Sequence, residues 1–108
     1  MPAAHSRATQ DALVALGLEI ARARSERRWT IGELAERAGI TRDTVRNVEK
    51  GAPTVAIGTV FELAMLVGVP LLGVDDGDYS ALVSRNRDRL AVLPSRVRPP
   101  STEPFDDF

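Results

Sequence analysis

The 108-residue sequence predicts an all-α protein, in which a five-helix domain is followed by a C-terminal helix and a disordered tail. Two observations predict this class. Apolar residues recur at helical spacing, and no segment shows the alternation of apolar and polar residues that is typical of strands. Threonine precedes and glycine follows several of these segments, and these residues favour the starts and ends of helices.

The composition excludes several classes of protein. The absence of Cys rules out disulfides and metal sites built from thiolates. No apolar run reaches about 18 residues and no signal segment begins the chain, so we expect a soluble, cytoplasmic protein without a membrane partner. Because the formal net charge is −1, binding to nucleic acid would need a local basic patch. Residues 1–60 carry nine Lys and Arg against seven Asp and Glu.

The first helix is predicted to follow a flexible arm of residues 1–8. Thr9 fits its N-cap, and the helical pattern continues to about Arg28. One side of this helix carries the apolar residues expected in the core: Leu13, Leu16, Ile20 and Ala23. We also expect Trp29, which follows the helix, to contribute to the core.

Three more helices follow, and each is closed by a glycine that fits the left-handed position at a helix end. They are predicted at residues 31–38, 42–50 and 57–67, before Gly39, Gly51 and Gly68. Thr30 and Glu33 fit a capping box at the start of the second helix, and Thr41 fits the N-cap of the third. A short turn of helix is predicted at Pro70–Leu72.

The remainder of the chain is polar. Residues 75–78 read as a linker and residues 80–91 as one more polar helix, whereas the last residues are rich in Pro and charge. We therefore divide the chain into a flexible arm (1–8), a helical domain (9–73), a linker with the C-terminal helix (74–93) and a disordered tail (94–108).

The second and third helices are joined by a short turn that contains glycine, which is typical of a helix-turn-helix motif. On the third helix, donors and acceptors fall within an arc of about 140°. The residues in this arc are Arg42, Asp43, Arg46, Asn47 and Lys50. Together with Thr41 at the N-cap and Thr44, they are the candidate DNA-binding residues. Arg can donate two hydrogen bonds to guanine, Asn can form two hydrogen bonds with adenine, and Asp can accept one from cytosine. A Thr at the N-cap can bind a phosphate through its hydroxyl or its backbone amide. The alternative is a solvated charged face.

Glu49 lies on the inward side of the same helix, where a carboxylate needs a partner. Arg24 lies within about 20° of Leu13 on the apolar face of the first helix. An ion pair lowers the cost of a charge in such a place. We therefore predict a structural Arg24–Glu49 pair, with Arg27 as the competing partner of Glu49.

The segment WTIGELAERAGITRDTVRNVEKG resembles the DNA-binding domain of lambda-repressor/Cro-like (XRE) regulators, over about residues 13–73. The resemblance implies a five-helix, lambda-repressor-like domain that binds a palindromic operator on double-stranded DNA as a homodimer. It also implies the Arg24–Glu49 pair, and base reading by Arg42, Asp43, Arg46 and Asn47. Ile31 and Ala56 depart from the family pattern, and Ile31 removes an expected phosphate contact.

The segment GAPTVAIGTVFELAMLVGVPLL and the tail resemble HipB-type antitoxins. That resemblance implies a bacterial, nucleoid-associated repressor that neutralises a HipA-like Ser/Thr kinase toxin. The tail residues expected to bind this partner are Phe105, Asp106, Asp107 and Phe108. One alternative is a stand-alone phage or plasmid repressor, and another is a protein-interaction module with a vestigial helix-turn-helix.

Two further expectations follow from the residues. The fourth helix is apolar almost all the way round, which predicts a homodimer, although a fully central helix would show the same pattern. The sequence shows no pairing of nucleophile with base, no cluster of metal ligands and no phosphate-cradling Gly loop. We therefore expect no enzymatic activity, cofactor or metal.

Overall fold

The computed structural model describes residues 4–95, and every regular element among them is a helix, which confirms the all-α prediction. The helices are α1 (Arg7–Glu26), α2 (Ile31–Ala38), α3 (Arg42–Lys50), α4 (Ile57–Val67) and α5 (Tyr79–Ala91). The chain divides into two compact units after Gly73, the first holding α1 to α4 and the second holding α5. None of the described helices has the length and apolar content needed to span a membrane.

The first helix starts and ends earlier than predicted. Its N-cap is Ser6, whose hydroxyl oxygen accepts a hydrogen bond from the Thr9 amide at 3.1 Å. Thr9 therefore lies inside the first turn, and the last two residues of the expected arm are helical. The helix ends at Glu26, and Arg28 has a left-handed φ of 60° that a right-handed helix cannot accommodate.

The capping box predicted at the start of α2 is present. The Thr30 hydroxyl accepts from the Glu33 amide at 3.0 Å, and the Glu33 carboxylate accepts from the Thr30 amide at 2.8 Å. The hydrogen bonds from Thr30 hold the pKa of Glu33 below its ordinary value. The stability that the ionised Glu33 carboxylate contributes is therefore complete above the ordinary Glu pKa. It is lost as the pH falls through the lowered pKa of the folded state.

The core of the first unit lies where α1 to α4 meet. Its four largest fully buried side chains come one from each helix: Ile20, Leu34, Val45 and Leu63. Of the stripe predicted on α1, Ile20 and Ala23 are buried, whereas Leu13 and Leu16 are half-buried. Gly17 takes the buried position between them, so α1 meets its neighbour here through backbone and not through side chains.

Helix α1 and the C-terminal end of α3 approach each other closely. A Cβ atom built on Gly17 would lie 2.5 Å from the Val48 carbonyl oxygen and 2.6 Å from that of Glu49. A Cβ atom on Gly51, whose φ is 82°, would lie 2.7 Å from the Val14 amide nitrogen. Both positions therefore need glycine, because any side chain would separate α1 from α3.

The chain after α4 differs from the prediction. Leu72 and Gly73 have φ values of 57° and 73°, in the left-handed region, so Pro70–Leu72 does not form the expected turn of helix. The C-terminal helix is confirmed as α5, which follows Asp78 and buries none of its residues. Residues 96–108, which include most of the predicted tail, lie outside the described part of the chain.

Candidate nucleic-acid interface

The turn between α2 and α3 fixes the direction of α3. Gly39 takes a left-handed φ of 71°, and the Ile40 amide donates to the Ala35 carbonyl at 3.0 Å. Ile40 is half-buried in the turn. Thr41 then begins α3, and its hydroxyl accepts from the Thr44 amide at 3.1 Å. Two capped helices and a left-handed glycine between them constitute a helix-turn-helix motif.

Helix α3 has one buried and one exposed face. Val45 and Val48 are buried against the rest of the unit. The exposed residues are Thr41, Arg42, Asp43, Arg46, Asn47 and Lys50, which are six of the seven candidates. Thr44 is half-buried, and its hydroxyl lies 2.9 Å from that of Thr41. The six exposed candidates lie together on one surface, which we call the α3 outer face.

Arg46 and Asp43 form an ion pair on the α3 outer face. Arg46 Nη1 donates to Asp43 Oδ1 at 2.9 Å, and the two side chains are 47% and 87% exposed. An ion pair this exposed contributes less than about 1 kcal/mol to stability. Arg46 can therefore exchange this carboxylate for another acceptor at little cost.

Arg42 lies apart from this pair, although it is on the same face. A Cβ atom built on Gly32, in the first turn of α2, would lie 2.8 Å from Arg42 Nε and 2.9 Å from Nη2. The guanidinium therefore rests against the backbone of α2. In the described part of the chain, no carboxylate oxygen comes within 4.0 Å of it.

Arg24 and Glu49 are in contact beneath the α3 outer face. Arg24 Nε donates to Glu49 Oε2 at 2.7 Å and Nη2 donates to Oε1 at 3.1 Å, while Nη1 donates to the Trp29 carbonyl at 2.8 Å. The side chains are only 15% and 11% exposed. The hydrogen bonds to Glu49 raise the pKa of Arg24 above its ordinary value. Arg27, the alternative partner, donates instead to the Val67 carbonyl at 3.0 Å.

Trp29 does not enter the core as predicted. The residue is half-buried, and two guanidinium groups lie near its ring. The Cζ atoms of Arg37 and Arg27 lie 4.1 Å and 5.5 Å from the ring centroid, within the range of cation–π interaction. The signal for this arrangement in the sequence is the group of Arg residues around Trp29, because guanidinium groups favour the faces of aromatic rings.

Gly17 and Gly32, which permit close approach to other elements, were not among the predicted residues. A glycine inside a helical pattern costs about 1 kcal/mol relative to alanine, so its presence often has a packing reason. That general signal was available in the sequence. The atoms that each glycine approaches were not, because they belong to other helices.

The fold and the α3 outer face together define a helix-turn-helix protein. Residues 15–76 match the helix-turn-helix domain family, and because this is more than half of the 108 residues, the chain belongs to that family. The resemblance to XRE regulators is thereby confirmed at the level of the domain, which indicates a DNA-binding regulator. No curated protein and no solved structure shows a significant match. The likeness to HipB-type antitoxins stays a prediction.

Of the predicted site residues, the structure describes those of α1 and α3. The four tail residues, Phe105, Asp106, Asp107 and Phe108, lie outside the described residues.

Proposed function

We propose that this protein is a transcriptional repressor that inserts α3 into the major groove of a specific DNA sequence. The observation that carries the proposal is the α3 outer face, a continuous exposed surface of donors and acceptors on the second helix of a helix-turn-helix. Bidentate side chains on such a helix distinguish base pairs through the major groove. The buried contacts with α1 hold the helix as a rigid reading element.

The residues of this face have different roles in the proposal. Arg46 and Asn47, which are consecutive residues of α3, are placed to read guanine and adenine, and Asp43 is placed to accept a hydrogen bond from cytosine. Thr41 and Lys50 stand at the two ends of α3, where they suit phosphates on either side of the groove. The ion pair between Asp43 and Arg46 is exposed and weak, so both side chains can leave it for base edges at little cost.

The first test is the base-reading role of Arg46. A selection from randomised duplexes supplies the preferred sequence, and a scrambled duplex of the same composition is the reference. We expect Arg46→Ala to weaken binding to the selected duplex by about 1–3 kcal/mol and to the scrambled duplex by much less.

Arg22→Ala is the matched control for this measurement. Arg22 also makes an exposed 2.9 Å ion pair along a helix, with Glu26, but it lies on α1. Its replacement should leave both affinities nearly unchanged. Equal losses on the two duplexes for Arg46→Ala would contradict base reading. If selection enriches no sequence, the protein-interaction module becomes the better explanation.

A homodimer is the second part of the proposal, and it rests on α4. Ile57, Phe61 and Met65 are spaced four residues apart, so they share one side of α4, which we call the α4 stripe. Ile57 is 71% and Met65 41% exposed, and Phe61 is half-buried. Within the described chain, α4 is therefore not fully central. A two-fold axis through this stripe would cover it and present two copies of α3 to a palindromic operator.

The dimer is tested by placing a charge in the α4 stripe. We expect Met65→Glu to shift the protein from dimer to monomer in sedimentation at tens of micromolar, because the carboxylate would be buried without a partner. Val83→Glu is the control, since Val83 has a similar exposure (45% against 41%) but lies on α5. A wild-type protein that sediments as a monomer would contradict the dimer and binding to two half-sites.

The finer proposal is that this repressor is the antitoxin of a HipA-like kinase. Its support is the resemblance of residues 51–72 and of the tail, and Phe105 and Phe108 would then contact the kinase. The neighbouring gene decides between this proposal and a stand-alone repressor. An adjacent kinase-like gene whose product forms a complex with the full chain would support the antitoxin, and a neighbour of another kind would favour the stand-alone repressor.

A further inference from the structure

We propose that Gly32 is a positioning residue for Arg42, and that Arg42 so positioned contacts a phosphate of the DNA backbone and not a base edge. The inference rests on the proposed function and divides the two arginines of the α3 outer face into different roles. It leaves Asp43, Arg46 and Asn47 as the base-reading residues. It also assigns a role in recognition to a residue of α2 that has no side chain.

The contact with Gly32 determines where the Arg42 guanidinium lies. Three of its side-chain atoms, Nε, Nη2 and Cζ, fall 2.8–3.1 Å from the place that a Cβ atom on Gly32 would occupy. The space next to the α2 backbone is therefore filled by the guanidinium itself. Since Gly32 has an ordinary helical φ, the reason for glycine here is the approach of Arg42 and not backbone conformation.

This location separates Arg42 from the base-reading residues. When a helix-turn-helix binds DNA, its second helix enters the major groove while its first helix crosses the sugar-phosphate backbone. Arg46 is directed along α3, toward Asp43, and so stays on the helix that enters the groove. Arg42 is instead directed onto the helix that crosses the backbone, where the acceptors are phosphate oxygens.

The surroundings of Arg42 leave its charge available for such an acceptor. Thr30, Glu33 and Glu36 line a groove of about 500 Å³ together with Gly32 and Arg42. The Glu33 carboxylate is used in the capping box, where it accepts from the Thr30 amide at 2.8 Å. Neither carboxylate of this groove lies within 4.0 Å of Arg42. Arg46, by contrast, already forms an ion pair with Asp43.

The primary experiment compares Arg42→Ala with Arg46→Ala in the full-length protein, on the selected and the scrambled duplex. We expect Arg42→Ala to weaken binding to both duplexes by the same factor. The slope of log affinity against log salt should become shallower by about 0.9, which corresponds to one lost phosphate contact. Arg46→Ala should instead weaken the selected duplex by roughly 5- to 150-fold and lower the ratio between the two duplexes.

The second experiment tests Gly32 through Gly32→Ala. The added methyl group displaces the end of a flexible side chain and not backbone, so the fold should persist while the guanidinium moves. Alanine also favours helices more than glycine, so the thermal midpoint should be unchanged or higher. We expect Gly32→Ala to weaken both duplexes equally, as Arg42→Ala does, although the protein is no less stable.

Two backgrounds make this result specific. In the Arg42→Ala background, Gly32→Ala should cause no further loss, because the side chain that it displaces is absent. In the Arg46→Ala background it should cause its full loss, because the two residues act independently. If Gly32→Ala weakens binding equally in both backgrounds, Gly32 does not act through Arg42 and the inference is overturned.

The outcomes also separate this inference from the proposed function. If the wild-type protein does not distinguish the selected from the scrambled duplex, the repressor proposal fails and this inference fails with it. If the wild-type protein does distinguish them and Arg42→Ala removes most of that discrimination, Arg42 reads a base. In that case the repressor proposal stands and only the inference is overturned.

Discussion

Glu49→Ala is expected to lower the free energy of unfolding by about 3 kcal/mol, because it leaves the Arg24 guanidinium without its carboxylate in a mostly buried place. We take the low end of the usual range because the two side chains retain 15% and 11% exposure. Arg24 keeps its bond to the Trp29 carbonyl, so the charge is not wholly unpartnered. Urea unfolding of the full chain gives the value.

Asp43→Ala is the control for this prediction. It removes an ion pair of similar length, 2.9 Å against 2.7 Å, from the exposed face of the same helix. Its expected cost is less than about 1 kcal/mol. In a double-mutant cycle, Arg24→Ala and Glu49→Ala should cost much less together than the sum of the single changes. Additive losses, or equal losses for Glu49→Ala and Asp43→Ala, would show that the buried pair does not stabilise the fold.

Gly17→Ala is expected to destabilise the protein by about 1–3 kcal/mol, even though alanine is the better helix former. The added Cβ would lie 2.5 Å from the Val48 carbonyl oxygen, so α1 and α3 would have to separate. The atoms that the Cβ would meet, the carbonyl oxygens of Val48 and Glu49, belong to the backbone of α3. No side-chain rotation can therefore relieve the overlap. Thermal or urea unfolding measures the loss.

Gly58→Ala provides the comparison for Gly17→Ala. Gly58 is also inside a helix, but a Cβ atom built on it would have no neighbour within 4 Å. The same substitution should therefore be neutral or stabilising by up to about 1 kcal/mol. Similar effects at the two positions would mean that α1 and α3 do not meet as closely as the structure describes. Binding of Gly17→Ala to the selected duplex should also weaken, because α3 moves.

Local sequence signals were sufficient for most of the helix boundaries. The bounds of α2, α3 and α4 agree with the predicted residues 31–38, 42–50 and 57–67, because each helix ends at a glycine with left-handed φ. The start of α1 was wrong because Ser6 and Thr9 are both suitable N-caps, and nothing nearby distinguishes them. The predicted turn of helix at Pro70–Leu72 was wrong because Leu72 has a left-handed conformation. That conformation is unfavourable for leucine and is therefore not expected from the sequence.

The candidate site was predictable to the extent that it depends on one helix. Periodicity identified which residues of α3 face outward, since that follows from 100° per residue. The same reasoning could not show that Arg42 turns toward Gly32, or that Arg27 and Arg37 both approach the Trp29 ring. Those arrangements depend on how side chains of neighbouring elements turn toward one another in three dimensions, which helical periodicity does not specify.

The two faces of α3 also determine how this protein can evolve. An isolated nine-residue helix would be mostly unfolded in water, so the α3 outer face depends on contacts made by residues that are not part of it. Gly17, Gly51, Val45, Val48 and Glu49 make those contacts, and few substitutions there are tolerable. Asp43, Arg46 and Asn47 make no buried contact, so they can change in single steps with little loss of folding. Under the proposed function, new preferences for DNA sequence are therefore accessible to this chain without compensating mutations in its core.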